Sequence, residues 1–178
     1  MSDRVAMMDS GTILQLGKPD DLYARPANVK VAQFIGTPAI NLLPARVGAA
    51  GTVELFGADL PIRVRRPAGT TLTLGIRPQA VTPATTGTAH TGLCALDGRL
   101  RRSENLGAEH ILHVDLAAPA TGALTGVMAG DPEALVDDAR RLALLFAPSA
   151  CHVFDTEGAR IDDVEAVPSA PTRMARAL

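Results

Sequence analysis

Residues 34–47 read FIGTPAINLLPARV, and the periodicity of the chain changes across them. On the N-terminal side, VAMM (5–8) and TILQL (12–16) are apolar runs separated by Asp9-Ser10-Gly11, residue types of a tight turn, and are expected to form a hairpin. KPDDLYARP follows, in which Pro19 and Asp20 suit a helix start. In ANVKVAQFIG beyond it, Val29, Ala32, Phe34 and Ile35 are expected to line one face of a short helix. On the C-terminal side the chain reads as strands. NLLPARV, TVELF, LPIRVRR, TLTLGI, GLCALDGRL, HILHVDLA, ALTGVM, LALLFA and CHVFD are short apolar runs divided by Gly, Pro, Asp and Thr, at the spacing of a small barrel or sandwich. Ile62 and Val64 alternate with Arg63 and Arg65, and Leu112, Val114 and Leu116 with Ile111, His113 and Asp115, the period of a strand with one buried face. One interruption, GDPEALVDDARR, allows a helical turn or two, capped by Asp131 with Pro132 in first position. From Val167 onward the tail is small, polar and Pro-containing, and disorder is expected over 167–178.

Composition narrows the function classes. The chain has 178 residues, a hydrophobic fraction of 47% and an aromatic fraction of 3%, so its core must be aliphatic, with Phe34, Phe56, Phe146 and Phe154 its large rings beside Tyr23. A net charge of −2 offers no electrostatic footprint for a polyanion, which argues against nucleic acid. No apolar stretch approaches the ~20 residues that span a bilayer, and a soluble cytoplasmic protein is expected. Cys94 and Cys151 match no metal or redox spacing, so reduced structural thiols are expected.

Residues 2–47 closely resemble the end of the ATP-binding subunit of an ABC importer of the maltose or sugar type. The resemblance runs through the hairpin and Gly17, Pro19, Leu22, Tyr23 and Pro26 into FIGTPAINLLP (34–44), similar to the stretch through which such subunits enter a regulatory domain. Three later landmarks extend it: LGIRPQAV (74–81) is similar to the GIRPE box of TOBE-type domains, SENLGAEHILHV (103–114) to their E-x-L-G strand pair, and CHVFDTEGARI to their closing hairpin. The resemblance implies a mainly β fold, α+β overall, with an OB-like TOBE barrel over 37–166. Residues 1–36 become the end of a nucleotide-binding domain, and Met1 an internal methionine of a longer chain. Two departures stand out: Gln79 replaces the usual Glu, and the usual Gly before the last long strand is lost within Val136-Asp137-Asp138-Ala139.

Chemistry of the chain's own is not expected. P-loop hydrolysis needs a Gly-rich phosphate cradle, a Lys and a magnesium-holding Ser/Thr. Neither GxxxxGK[ST] nor LSGGQ occurs, and ILHVD (111–115) reads as an ordinary strand rather than a Walker B strand. His110 and His113 have an odd spacing, which on a strand sends them to opposite faces and argues against a metal pair. Cys151-His152 has the same defect. The arginine groups Arg63, Arg65, Arg66 and Arg99, Arg101, Arg102 read as solvated strand faces. Pro78 suits a strand end, leaving Arg77 to pair with a carboxylate such as Glu104.

The resemblance therefore implies a regulatory and dimerising module with no cofactor, ATP and magnesium belonging to the full-length subunit. Its implied partners are a second copy, membrane permease subunits reached through the full-length protein, and a regulatory protein, at the cytoplasmic side of the inner membrane. Arg77, Pro78, Glu104, Gly107 and Phe154 are the regulatory or interface candidates. The alternative is a MOP-type domain binding an oxyanion such as molybdate, which needs converging Ser/Thr, Lys and backbone donors. The small-polar run 85–91 is the candidate there, but both lysines, Lys18 and Lys30, lie near the N-terminus. The hairpin of residues 1–16, with Val5, Met7, Met8, Ile13, Leu14 and Leu16, is expected to pair with a second copy, since a lone hairpin is marginal in water.

Overall fold

A computed structural model describes residues 3–87, 92–117, 122–167 and 172–174. The N-terminal runs form the hairpin β1 (Val5–Asp9) and β2 (Thr12–Gly17), turning through Ser10 and Gly11, both at positive φ. Two six-residue helices follow, α1 (Pro19–Ala24) with Pro in its first turn, and α2 (Val29–Phe34), where the Asn28 side chain accepts from Val31 N–H at 3.0 Å. Gln15 ties the hairpin to the link between them, donating to Arg25 C=O at 3.0 Å and accepting from Ala27 N–H at 2.8 Å. Lys30 adds an ion pair to Asp9. The hairpin thus folds onto the helices of its own chain, while Met8, Ile13 and Leu16 remain about half exposed.

Beyond the cis Thr37–Pro38 peptide the chain is β, as the sequence indicates. One sheet has β3 (Asn41–Val47), β4 (Thr52–Leu55), β5 (Ala58–Val64), β6 (Thr71–Ile76), β12 (Cys151–Phe154) and β13 (Val164–Ala166), in the order β12-β6-β3-β4-β5-β13. The other has β7 (Thr82–Ala84), β8 (Cys94–Asn105), β9 (His110–Leu116), β10 (Ala123–Met128) and β11 (Arg141–Phe146), in the order β10-β9-β8-β11-β7. A last strand, β14 (Thr172–Met174), lies parallel to β8 at Cys94–Leu96. Within the tail expected to be disordered, Thr172–Met174 are therefore paired, and 168–171 and 175–178 lie outside the described residues.

The alternations drive the two sheets together. Leu43, Ala45 and Val47 of β3, Leu72, Leu74 and Ile76 of β6, Leu96 and Leu100 of β8, Leu112 and Val114 of β9 and Leu142, Leu144 and Phe146 of β11 enter one aliphatic core. The expected helical interruption is a single 3-10 turn, Pro132–Ala134, with Asp131 accepting from Glu133 N–H. The turn that lacks the usual Gly is built another way. Arg140 adopts φ 58°, and the Asp137 carboxylate accepts from Ala139 N–H (3.0 Å), Arg141 N–H (2.8 Å) and Arg141 Nε (2.8 Å). These bonds, led by that from the Arg141 backbone, hold the Asp137 carboxyl below its ordinary pKa.

Two expectations about large side chains fail. Phe34 was expected on the buried face of α2, yet it is 71% exposed, and the buried residues are Val31 and Ala32. Phe34 lies about 200° around the helix from Ala32, so the two cannot share a face. Phe56 is only partly buried, at φ 51° in the turn between β4 and β5.

Candidate functional site

Both helices end without a basic residue in the last turn, which leaves their C-terminal carbonyls to find donors elsewhere. The β part supplies one. Arg77 follows the end of β6, and its guanidinium reaches back to donate from Nη1 to Ala32 C=O (2.7 Å) and Ile35 C=O, and from Nη2 to Tyr23 C=O (3.0 Å). Its Cζ sits 4.2 Å from the centre of the Tyr23 ring. Carbonyls at two helix C-termini are the negative ends of two dipoles, so the cation is compensated without a carboxylate. Arg77 is 4% exposed, its Nε has no partner, and burial lowers its pKa.

This corrects the expected pairing of Arg77 with Glu104. Glu104 lies far along β8 and is already engaged, its Oε1 meeting Arg102 Nη2 and, at 2.8 Å, His113 Nε2. The neighbouring residues of the site are placed as follows. Pro78 begins the 3-10 turn Pro78–Ala80 and is buried. Gln79 accepts from Tyr23 O–H at 3.1 Å and donates to Thr37 C=O at 3.0 Å, so the amide that stands where Glu is usual bridges both sides of the helix-to-strand crossing. Phe154 is wholly buried and packs with Ala32 of α2 and Ile40 just ahead of β3. Backbone bonds from Val29 N–H to Gly158 C=O (2.9 Å) and from Arg160 N–H to Ala27 C=O (3.0 Å) complete the junction. Arg77, Pro78 and Phe154 therefore form an internal joint. Glu104 and Gly107 sit at the β8–β9 turn, where Gly107 has φ +94° and Leu106 is 63% exposed.

Asn41, not singled out by the sequence pattern, is the other buried polar side chain beside Arg77 among the described residues. Its amide donates to Ile76 C=O at 3.0 Å and Thr125 C=O at 2.8 Å, and accepts from Thr125 N–H at 2.7 Å. It thereby pins β10, an edge strand, to the opposite sheet. A polar residue heading the apolar run NLLP was the available signal.

Elsewhere several of the arginines pair with neighbouring carboxylates. Arg65 pairs with Glu165, Arg66 with Asp163 and Arg101 with Asp115, at 3.4, 3.0 and 3.7 Å. A cleft of about 760 Å³ is lined by Thr86, Asp97, Arg99, Asp115 and Arg141, a mixed-sign set in which Arg141 also serves Asp137. The run 85–91 enters this region, but 88–91 lie outside the described residues. Strand alternation in β9 separates His110 from His113. Among the described residues no group of three or more His, Cys, Asp and Glu is placed to hold a metal. Both cysteines are free, and burial raises both thiols, Cys94 to about 11. His152, beside Arg160 at 3.2 Å, is pushed down to about 4, chiefly by burial. Among the described residues no helix is long and apolar enough to cross a membrane.

No protein-family model matches the chain. Individual relatives do. Over 172 residues the chain is 35% identical to the sn-glycerol-3-phosphate import ATP-binding protein UgpC of Chromohalobacter salexigens, a match covering 94% of this chain and 45% of that protein. Over 167 residues it is 32% identical to the maltose/maltodextrin import ATP-binding protein MalK of Yersinia pestis and 30% identical to that of Salmonella typhimurium, covering 89% of this chain and 43% of each relative. The chain spans a little under half the length of these curated relatives. Among solved structures it is similar to the cytoplasmic molybdate-binding protein ModG, with a TM-score of 0.50 and 12% identity over 64% of this chain and 94% of ModG. That likeness shows the shared OB-like barrel fold. Over nearly its whole length, the chain belongs with the C-terminal part of the ATP-binding subunits of ABC importers.

Proposed function

We propose that the chain is a regulatory and dimerising module of the ATP-binding subunit of an ABC importer for sugars or related solutes, with no chemistry of its own. The observation that carries this reading is the relation to UgpC and MalK, which covers 94% and 89% of this chain. In the full-length subunit the catalytic step would rest on a phosphate cradle and metal-holding side chains that this sequence does not contain. The module would act on the ATPase cycle through its two-fold partner, through the permease subunits and through a regulatory protein, at the cytoplasmic face of the inner membrane.

Sedimentation velocity up to high micromolar concentration tests the dimer. A concentration-dependent shift to twice the monomer mass is expected, and a single monomer boundary throughout would count against dimerisation. The oxyanion alternative draws on the likeness to ModG, described as molybdate-binding, but that likeness is one of fold. The cleft beside Arg99 and Arg141 is shared with Asp97 and Asp115, and Lys30 is spent on Asp9.

A further inference from the structure

Arg77 and Asn41 lie 36 positions apart in sequence, yet they meet at one peptide unit, Ile76–Arg77, whose carbonyl Asn41 bonds and which carries the Arg77 side chain. The Ile76 carbonyl accepts from the Asn41 amide at 3.0 Å, and the side chain of the next residue, Arg77, holds the ends of α1 and α2. The same Asn41 amide clasps both backbone polar groups of Thr125 at 2.7 and 2.8 Å. Thr125 N–H therefore points away from β9, toward the side where an edge strand would otherwise lack a partner. A continuous polar chain runs from the helix C-termini through Arg77, the Ile76–Arg77 peptide and Asn41 to β10. Apart from the covalent step along the Arg77 side chain, each link is a buried or half-buried hydrogen bond, and losing one partner leaves a polar group unsatisfied.

We infer that these two side chains act as one coupled joint: docking of the helical segment and closure of the barrel at β10 are linked, so that release at either end loosens the other. Linkage of this kind is reciprocal. The coupling stands on these contacts alone and holds whether or not the module regulates a transporter.

Hydrogen exchange of the full chain tests it, with two sets of reporters. The amides of Ala32 and Ile35, bonded to Asn28 and Val31 carbonyls, report on the helices, and the amide of Thr125 reports on the β10 clasp. Arg77→Met should speed exchange at Ala32 and Ile35 by about tenfold or more and at Thr125 by several-fold, and Asn41→Ala should do the reverse, strongly at Thr125 and several-fold in the helix. Leu144 and Phe146 in the main core should change little. Acceleration confined to the mutated end overturns the coupling, and so does a uniform acceleration that includes Leu144 and Phe146. Gly36→Ala provides a test that keeps both polar side chains. A Cβ there would sit 3.2 Å from Arg77 Nη1 and 3.1 Å from Tyr23 Cε2, at φ +108°. It should accelerate both reporters together, and acceleration at the helix alone would again overturn the inference.

Discussion

Phe154→Ala probes the joint between the helical segment and the barrel. Phe154 is fully buried and belongs to a small cluster with Ala32 and Ile40, flanked by Val29 and Leu42, rather than to the main aliphatic core. Its ring rests against β6, where a Cβ added to Gly75 would meet Phe154 Cε2 at 3.0 Å. Truncating a buried Phe to Ala removes its transfer free energy and leaves a cavity, together about 3–5 kcal/mol. The ring packs with Ala32 and Ile40 and is flanked by Val29 and Leu42, so the cost should fall inside that range. For a chain of this size it corresponds to a loss of about 7–14 °C in Tm. Urea denaturation at neutral pH should give a lower midpoint with an unchanged m-value, and exchange protection should fall first in Val29–Phe34. A loss below about 1 kcal/mol, or protection lost evenly through the barrel, would refute the view that this ring fastens the helices to the barrel.

Burial, then the charges of Arg160 and Arg77, push His152 down to about 4. A His whose folded-state pKa is depressed takes up protons more readily when unfolded, so stability is intact above pH ~6.5 and falls toward pH 4, by at most ~1.4 kcal/mol per unit. The loss between pH 7 and 5 should shrink in His152→Gln, and parallel pH profiles would exclude this origin. Gln79→Glu keeps an acceptor for Tyr23 but removes the donor to Thr37 C=O, and should cost about 0.5–1.5 kcal/mol by denaturant titration; an increase in stability would show that the amide bridge contributes nothing. Gly98→Ala would place a Cβ 2.4 Å from Val114 Cγ1 and 2.8 Å from Asp115 O, forcing the β8–β9 backbones apart at about 1–3 kcal/mol. Adding Val114→Ala should recover no more than part of that loss, and a neutral Gly98→Ala would contradict the close approach.

The elements were legible where side chains alternate or cap. NLLPARV matches β3, TLTLGI matches β6, and Pro19 and Pro132 begin the turns that their fixed φ suits. The short strands Thr82–Ala84 and Val164–Ala166 were not anticipated, because three residues carry too little alternation to stand out from a loop. The joint was only half legible. The sequence marks Arg77-Pro78 as a strand end, but a guanidinium can bond carbonyls as well as carboxylates. Carbonyls carry no sequence signature, so Glu104 looked like the natural partner. Phe154 was recognisable as part of a closing hairpin, whereas its burial against Ala32 depends on how α2 turns, which a six-residue helix does not fix by pattern.

Titration calorimetry of the purified protein with Mg-ATP tests the proposed role of a regulatory module without nucleotide chemistry of its own. No saturable heat up to millimolar nucleotide and no phosphate release are expected. Micromolar binding, or turnover that survives repurification, would contradict that role.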